Sequence, residues 1–143
     1  MRETREHTAP YTTPQFEKLL DKTLADDAYW RVNKAIAKKV GIYAAIILAD
    51  LMSKKKYFEN RHMLTDDGYF FNTSDNIEDD TTLSRHKRED ATKNLIEMEW
   101  LLIDKRGIPA KNFYKIDYDR IYEYLTQYEE SVESSEISQY VRK

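Results

Sequence analysis

The run Thr73-Ser74-Asp75-Asn76-Ile77-Glu78-Asp79-Asp80-Thr81-Thr82-Leu83-Ser84-Arg85-His86-Lys87-Arg88 contains two helix starts in close succession. The Thr73 hydroxyl can accept a bond from an orphan amide of a first helical turn, and Asp75 sets a negative charge against the positive end of that helix. Ile77 then faces inward, which predicts a helix of about two turns ending near Asp80. A short turn through Thr82 and Leu83 leads to Ser84, a second cap. The helix that follows should run to about Glu99, with Ala91, Leu95 and Met98 on its buried stripe. Two helices joined so tightly cross at a steep angle, held by Ile77, Leu83, Ala91 and Leu95.

Downstream, Trp100–Lys105 and Asn112–Ile116 read as strands, with Gly107 and Pro109 in the loop between them. They predict a hairpin with a basic tip. Beyond it Tyr118, Ile121, Tyr122, Leu125 and Tyr128 recur at helical spacing and predict a last helix. Upstream, Asp66-Asp67-Gly68 is a turn signal before the aromatic strand Tyr69–Phe71. Ile42–Lys55 is rich enough in apolar residues to be the central helix, with Lys54-Lys55-Lys56 expected at its C-terminal end as charges that complement the dipole. Before it, Asn33 caps a helix carrying Ile36 and Val40 that Gly41 closes, and Trp30–Val32 reads as a short extended entry. Gln15–Leu24, with Phe16, Leu19 and Leu20 at helical spacing, reads as a short docking helix.

The order helix, helix, strand, helix, short turn, helix, hairpin predicts a mainly α fold with a small β-hairpin or sheet (α+β), in the winged helix-turn-helix arrangement. In the expected organisation, residues 1–14 form a flexible arm, 15–129 the winged domain with its flanking helices, and 130–143 a polar, frayed tail. At 143 residues and 41% hydrophobic content there is material for one core. Charged residues make up 34%, yet eleven tyrosines and five phenylalanines argue against full disorder.

The absence of cysteine removes disulfides, thiolate zinc sites and cysteine nucleophiles together. No apolar run reaches membrane-spanning length, so a soluble, cytoplasmic protein without a membrane partner is expected. His7, His62 and His86 lack ligand spacing, and no glycine-rich phosphate loop or nucleophile motif occurs. No metal, no cofactor and no enzymatic activity are therefore expected.

A net charge of −3 argues against coating nucleic acid by bulk attraction, but the charge is unevenly distributed. Lys105 to Lys115 holds four basic residues and no acids, whereas Asp117 to Glu136 holds seven acids against Arg120. In a winged fold the second helix of the motif enters the major groove and the hairpin meets the backbone. The candidate contacts are therefore Ser84, Arg85, His86, Lys87, Arg88 and Lys93 on the helix, and Lys105, Arg106 and Lys111 on the hairpin. Against the helix stands the pairing of Arg85 with Glu89 and of Glu89 with Lys93. These i,i+4 neighbours would make a self-neutralised solvated face, at about 0.2–0.5 kcal/mol per pair. The hairpin is the cleaner signal, since its cations converge on one tip with Asp104 as the local acid.

The segments Ser74-Asp75-Asn76-Ile77-Glu78-Asp79-Asp80-Thr81, Leu83-Ser84-Arg85-His86-Lys87-Arg88 and Arg106-Gly107-Ile108-Pro109-Ala110-Lys111-Asn112-Phe113-Tyr114-Lys115-Ile116 resemble the N-terminal winged-helix domains of phage and plasmid replication initiators. These are the DnaD-like replisome organisers of low-GC Gram-positive bacteria and their phages. The resemblance extends more loosely back to Trp30, where such domains have a lead-in strand. At Glu99 they commonly carry glycine. The resemblance implies binding of origin DNA, double-stranded or single-stranded, by a homodimer or higher homo-oligomer that recruits replisome proteins. The fold alone is equally compatible with a transcriptional regulator, or with a protein-interaction or oligomerisation module that binds DNA weakly.

Overall fold

The computed structural model describes residues 14–23 and 28–142. The chain divides into two units, Met1–Arg31 and Val32–Lys143. In the first, helix α1 spans Pro14–Thr23, and Leu19, expected on its docking stripe, is exposed. The side chains of Phe16 and Leu20, and all of the arm before Pro14, lie outside the described residues.

The second unit holds the core. Helix α2, Lys34–Val40, starts where Asn33 accepts a bond from the Ile36 amide at 3.0 Å and stops at Gly41. Helix α3 follows over Ile42–Asn60 and buries Ala44, Ala45, Ile47, Leu48 and Leu51. Its first eleven residues, Ile42–Met52, are apolar apart from Asp50, which suits a helix with neighbours on several sides. Those neighbours are α2, helix α4 (Ser74–Thr81) and helix α5 (Arg85–Glu97). Strand β1, Phe70–Phe71, precedes α4, and strands β2, Leu101–Arg106, and β3, Lys111–Ile116, follow α5. The strands form one antiparallel sheet in the order β1-β3-β2, with Leu101 opposite Ile116 and Arg106 opposite Lys111. Phe70 stacks between Phe58 and Tyr114, sealing the sheet onto α3.

Helix α6 runs from Tyr118 to Arg142. The Asp117 carboxylate accepts from the Arg120 amide at 3.1 Å to start it. Ile121 is buried, the Tyr124 ring packs on Trp100, and the Tyr124 hydroxyl donates to the Ala35 carbonyl at 3.3 Å, so α6 closes over α2.

The element order is the expected one, with three differences. Trp30–Val32 forms no strand; the free edge of β3 is taken by Phe70–Phe71. The lysine run does not end its helix, because α3 continues to Asn60. Lys54 instead bridges Asp50 within α3 and Asp80 on α4, and Lys55 pairs with Glu59. Residues expected as a frayed tail from 130 onward continue α6 to Arg142, in a stretch with no glycine or proline to stop a helix. No helix among the described residues is long and apolar enough to cross a membrane.

Candidate nucleic-acid interface

The two-helix motif is assembled from its caps inward. Thr73 Oγ1 accepts from the Asn76 amide at 3.0 Å, and Ser84 Oγ from the Lys87 amide at 3.5 Å, both as the sequence predicts. Between the helices the chain turns at Thr82, whose φ of 62° and ψ of 7° lie in the left-handed region, while its amide closes α4 on the Glu78 carbonyl at 2.8 Å. Thr81 Oγ1 donates to the Ile77 carbonyl at 2.6 Å and accepts from the Leu83 amide at 3.3 Å.

Arg88 completes the turn. Its side chain is 10% exposed, and its Nη1 donates to the Leu83 carbonyl at 2.9 Å and pairs with Glu78 at 3.1 Å. Expected at the helix margin as a DNA contact, this residue is instead buried and paired within the domain. Three residues before Ala91 and seven before Leu95, it falls on the buried stripe and satisfies a carbonyl that the turn leaves without a helical partner. At the other end of α5, Asn94 Nδ2 donates to the Val40 carbonyl at 3.2 Å. The helix is thereby held at both ends, with its opposite face in solvent.

That open face carries Arg85 and His86, 82% and 86% exposed. Arg85 Nε lies 2.9 Å from Glu89, and His86 Nε2 lies 3.4 Å from Asp90. The Arg85 guanidinium holds the Glu89 carboxyl below its usual range. The self-neutralised i,i+4 pairing is thus present for Arg85 with Glu89, whereas Lys93 forms no ion pair among the described residues. Lys87 lies 5.1 Å over the Tyr43 ring of α3, so its stem is held while its charge remains unopposed.

Strand alternation sorts the three hairpin cations. Lys105 stands opposite Asn112 and Ile103 opposite Tyr114, so these four side chains share the face turned toward α5. Arg106 and Lys111, also opposite each other, project from the reverse face. There the Arg106 guanidinium makes two bonds to the Asp67 carboxylate, at 3.1 and 2.7 Å, and one to Asp104 at 2.8 Å. It also lies 4.3 Å over the Tyr69 ring. Arg106 is therefore a strut that ties the hairpin to the loop before β1, and not the free tip cation that its sequence neighbourhood predicts. Lys111 lies 5.4 Å over Phe71, exposed and without an acidic partner among the described residues. Lys105 is likewise exposed and unmatched.

Between α5 and the hairpin opens a cleft of about 370 Å³, lined by Asp75, Arg85, Glu89, Thr92, Asn112 and Tyr114 among others. It separates the helix face from the Lys105 face of the hairpin, so both look onto the same solvent.

No protein-family model and no curated protein matches the chain. A solved structure described as the N-terminal domain of a DNA-binding protein is similar to it over 82% of this chain and 93% of that one, with a TM-score of 0.54 and 16% identity. The fold is a winged helix-turn-helix.

In winged-helix terms, α5 is the recognition helix and the β2–β3 hairpin is the wing. The residues missed by sequence reasoning are those that hold these parts from a distance. Asp67, read as a turn residue, is the main partner of Arg106, and its backbone carbonyl accepts from Lys115 at 2.9 Å. Tyr43 supports Lys87 from α3. Asp67 and Arg106 are 39 residues apart, beyond the reach of any local pattern.

Proposed function

We propose that the chain is a non-enzymatic, cytoplasmic DNA-binding domain of a phage or plasmid replication initiator, of the replisome-organiser kind, that places α5 in the major groove of duplex DNA and its wing on the backbone. One observation carries this reading: the open face of α5 stands beside the Lys105 face of the wing, with Arg85 reaching into the cleft between them. Lys87, Lys93, Lys105 and Lys111 are the cations free to meet phosphate, while Arg85 would reach a base or phosphate by exchanging Glu89 for it. The similarity to a domain of a DNA-binding protein and the motif resemblance to replication initiators support the same assignment.

A fluorescent duplex titrated at several salt concentrations tests it. Binding should weaken linearly on a log–log plot, with a slope of about 0.9 per phosphate neutralised. Absence of binding at low salt contradicts the reading. The self-neutralised pairs on α5 and the net charge of −3 favour a second one, in which the winged helix is an oligomerisation or partner-binding module with weak DNA affinity. The titration, run beside light scattering and a partner pull-down, separates the two: that reading requires an oligomer or a captured partner together with only weak, marginal duplex affinity, whereas the first requires salt-dependent duplex binding whatever the oligomeric state.

A further inference from the structure

The wing carries at its apex a side chain that nothing in the domain covers. Ile108 is 102% exposed, at the crest of the turn that Gly107 opens with a φ of 89°. Single exposed apolar residues are common on protein surfaces, so exposure alone decides nothing. Three further features set this one apart. Residues 107–110 are uncharged, whereas Lys105, Arg106 and Lys111 stand immediately behind them on the two strands. The carrier is stiff: six residue pairs run from Leu101–Ile116 to Arg106–Lys111, and the last is braced by the Arg106 bonds to Asp67 and Asp104. The wing also stands beside the open face of α5, across the cleft that Ile103, Asn112 and Tyr114 line on its side.

With α5 in the major groove, the wing meets the neighbouring minor groove. A two-stranded ribbon is too wide for a groove about 6 Å across, but one aliphatic side chain at its apex is not. Apolar wedges such as isoleucine and proline, pushed between base pairs from the minor groove, unstack a step and kink the duplex by about 20–90°. We propose that Ile108, backed by Pro109, is such a wedge: it enters the minor groove between two base pairs and bends the DNA, with Lys105 and Lys111 on the flanking phosphates. The inference rests on the duplex-binding reading above.

The test uses the full chain and a duplex of about 30 base pairs containing flexible TA steps, labelled at both ends for energy transfer and carrying 2-aminopurine at those steps. Anisotropy from one end label reports binding in the same titration. For the wild type, binding should be accompanied by shortening of the end-to-end distance and brightening of 2-aminopurine. Ile108→Ala, at a fully exposed position, should keep the wild-type melting temperature and still bind, with both the shortening and the brightening lost. Wild-type binding without either signal overturns the wedge and leaves the duplex reading intact. Equal bending by Ile108→Ala also overturns it. Absence of binding by the wild type overturns both.

Discussion

Thr82 offers a test of the turn that sets the recognition helix. Its backbone sits at φ 62°, ψ 7°, a conformation costing an L-residue about 1–2 kcal/mol, and β-branched residues adopt it least readily. Its side chain is exposed, so removing it costs no core packing, and the bond from its amide to the Glu78 carbonyl survives substitution. Glycine carries no penalty here but has about 0.5–1 kcal/mol more unfolded-state entropy to lose. Thr82→Gly should therefore stabilise the domain by about 0.5–1 kcal/mol, a rise in melting temperature of a few degrees. Thr82→Ala keeps the Cβ that causes the strain and should gain much less. Urea denaturation of the three proteins, compared at equal slope, measures the differences. If glycine destabilises, or if alanine gains as much as glycine, the turn at Thr82 does not store backbone strain.

Further expectations follow from the ion pairs. Arg88→Ala removes the partner of a buried carbonyl and should cost about 1–3 kcal/mol by denaturant titration, with DNA affinity falling only as far as unfolding explains. A loss of affinity in a fully folded Arg88→Ala would instead make Arg88 a DNA contact. Lys105→Ala should leave the melting temperature unchanged and lower the salt slope of duplex binding by about 1; an unchanged slope removes Lys105 from the interface. Arg106 holds the Asp67 carboxyl well below the usual carboxylate range. Because that folded-state value is lowered, the contribution is complete above the unfolded value of about 4 and is lost as pH falls below it toward the folded one. Acidification from about pH 5 to 2.5 should therefore cost the wild type more stability than Asp67→Asn. Equal acid sensitivity of the two proteins would show that the strut does not couple to folding.

The element order and the helix starts are legible in local sequence patterns. Asn33, Thr73 and Ser84 each act on the amide three residues on, and the Ile77, Leu83, Ala91 and Leu95 spacing reports one buried face. Such signals are local, so no tertiary partner has to be known to read them. Glu99 departs from the glycine that resembling domains commonly carry at this position, although its backbone takes a φ of 60°, the region that glycine favours.

Which cations are free depends instead on what folding brings beside them. Arg88 and Arg106 look as available in the sequence as Lys93 and Lys105. The first, however, is spent on the Leu83 carbonyl and Glu78, and the second on Asp67 and Asp104. Sheet register, a product of pairing between separate strands, then turns Lys105 toward the recognition helix and Lys111 away from it. The difference is one of range. Caps and periodicity act within one helical turn, whereas a salt bridge or a strand face depends on what the folded chain brings alongside, here an aspartate 39 residues away.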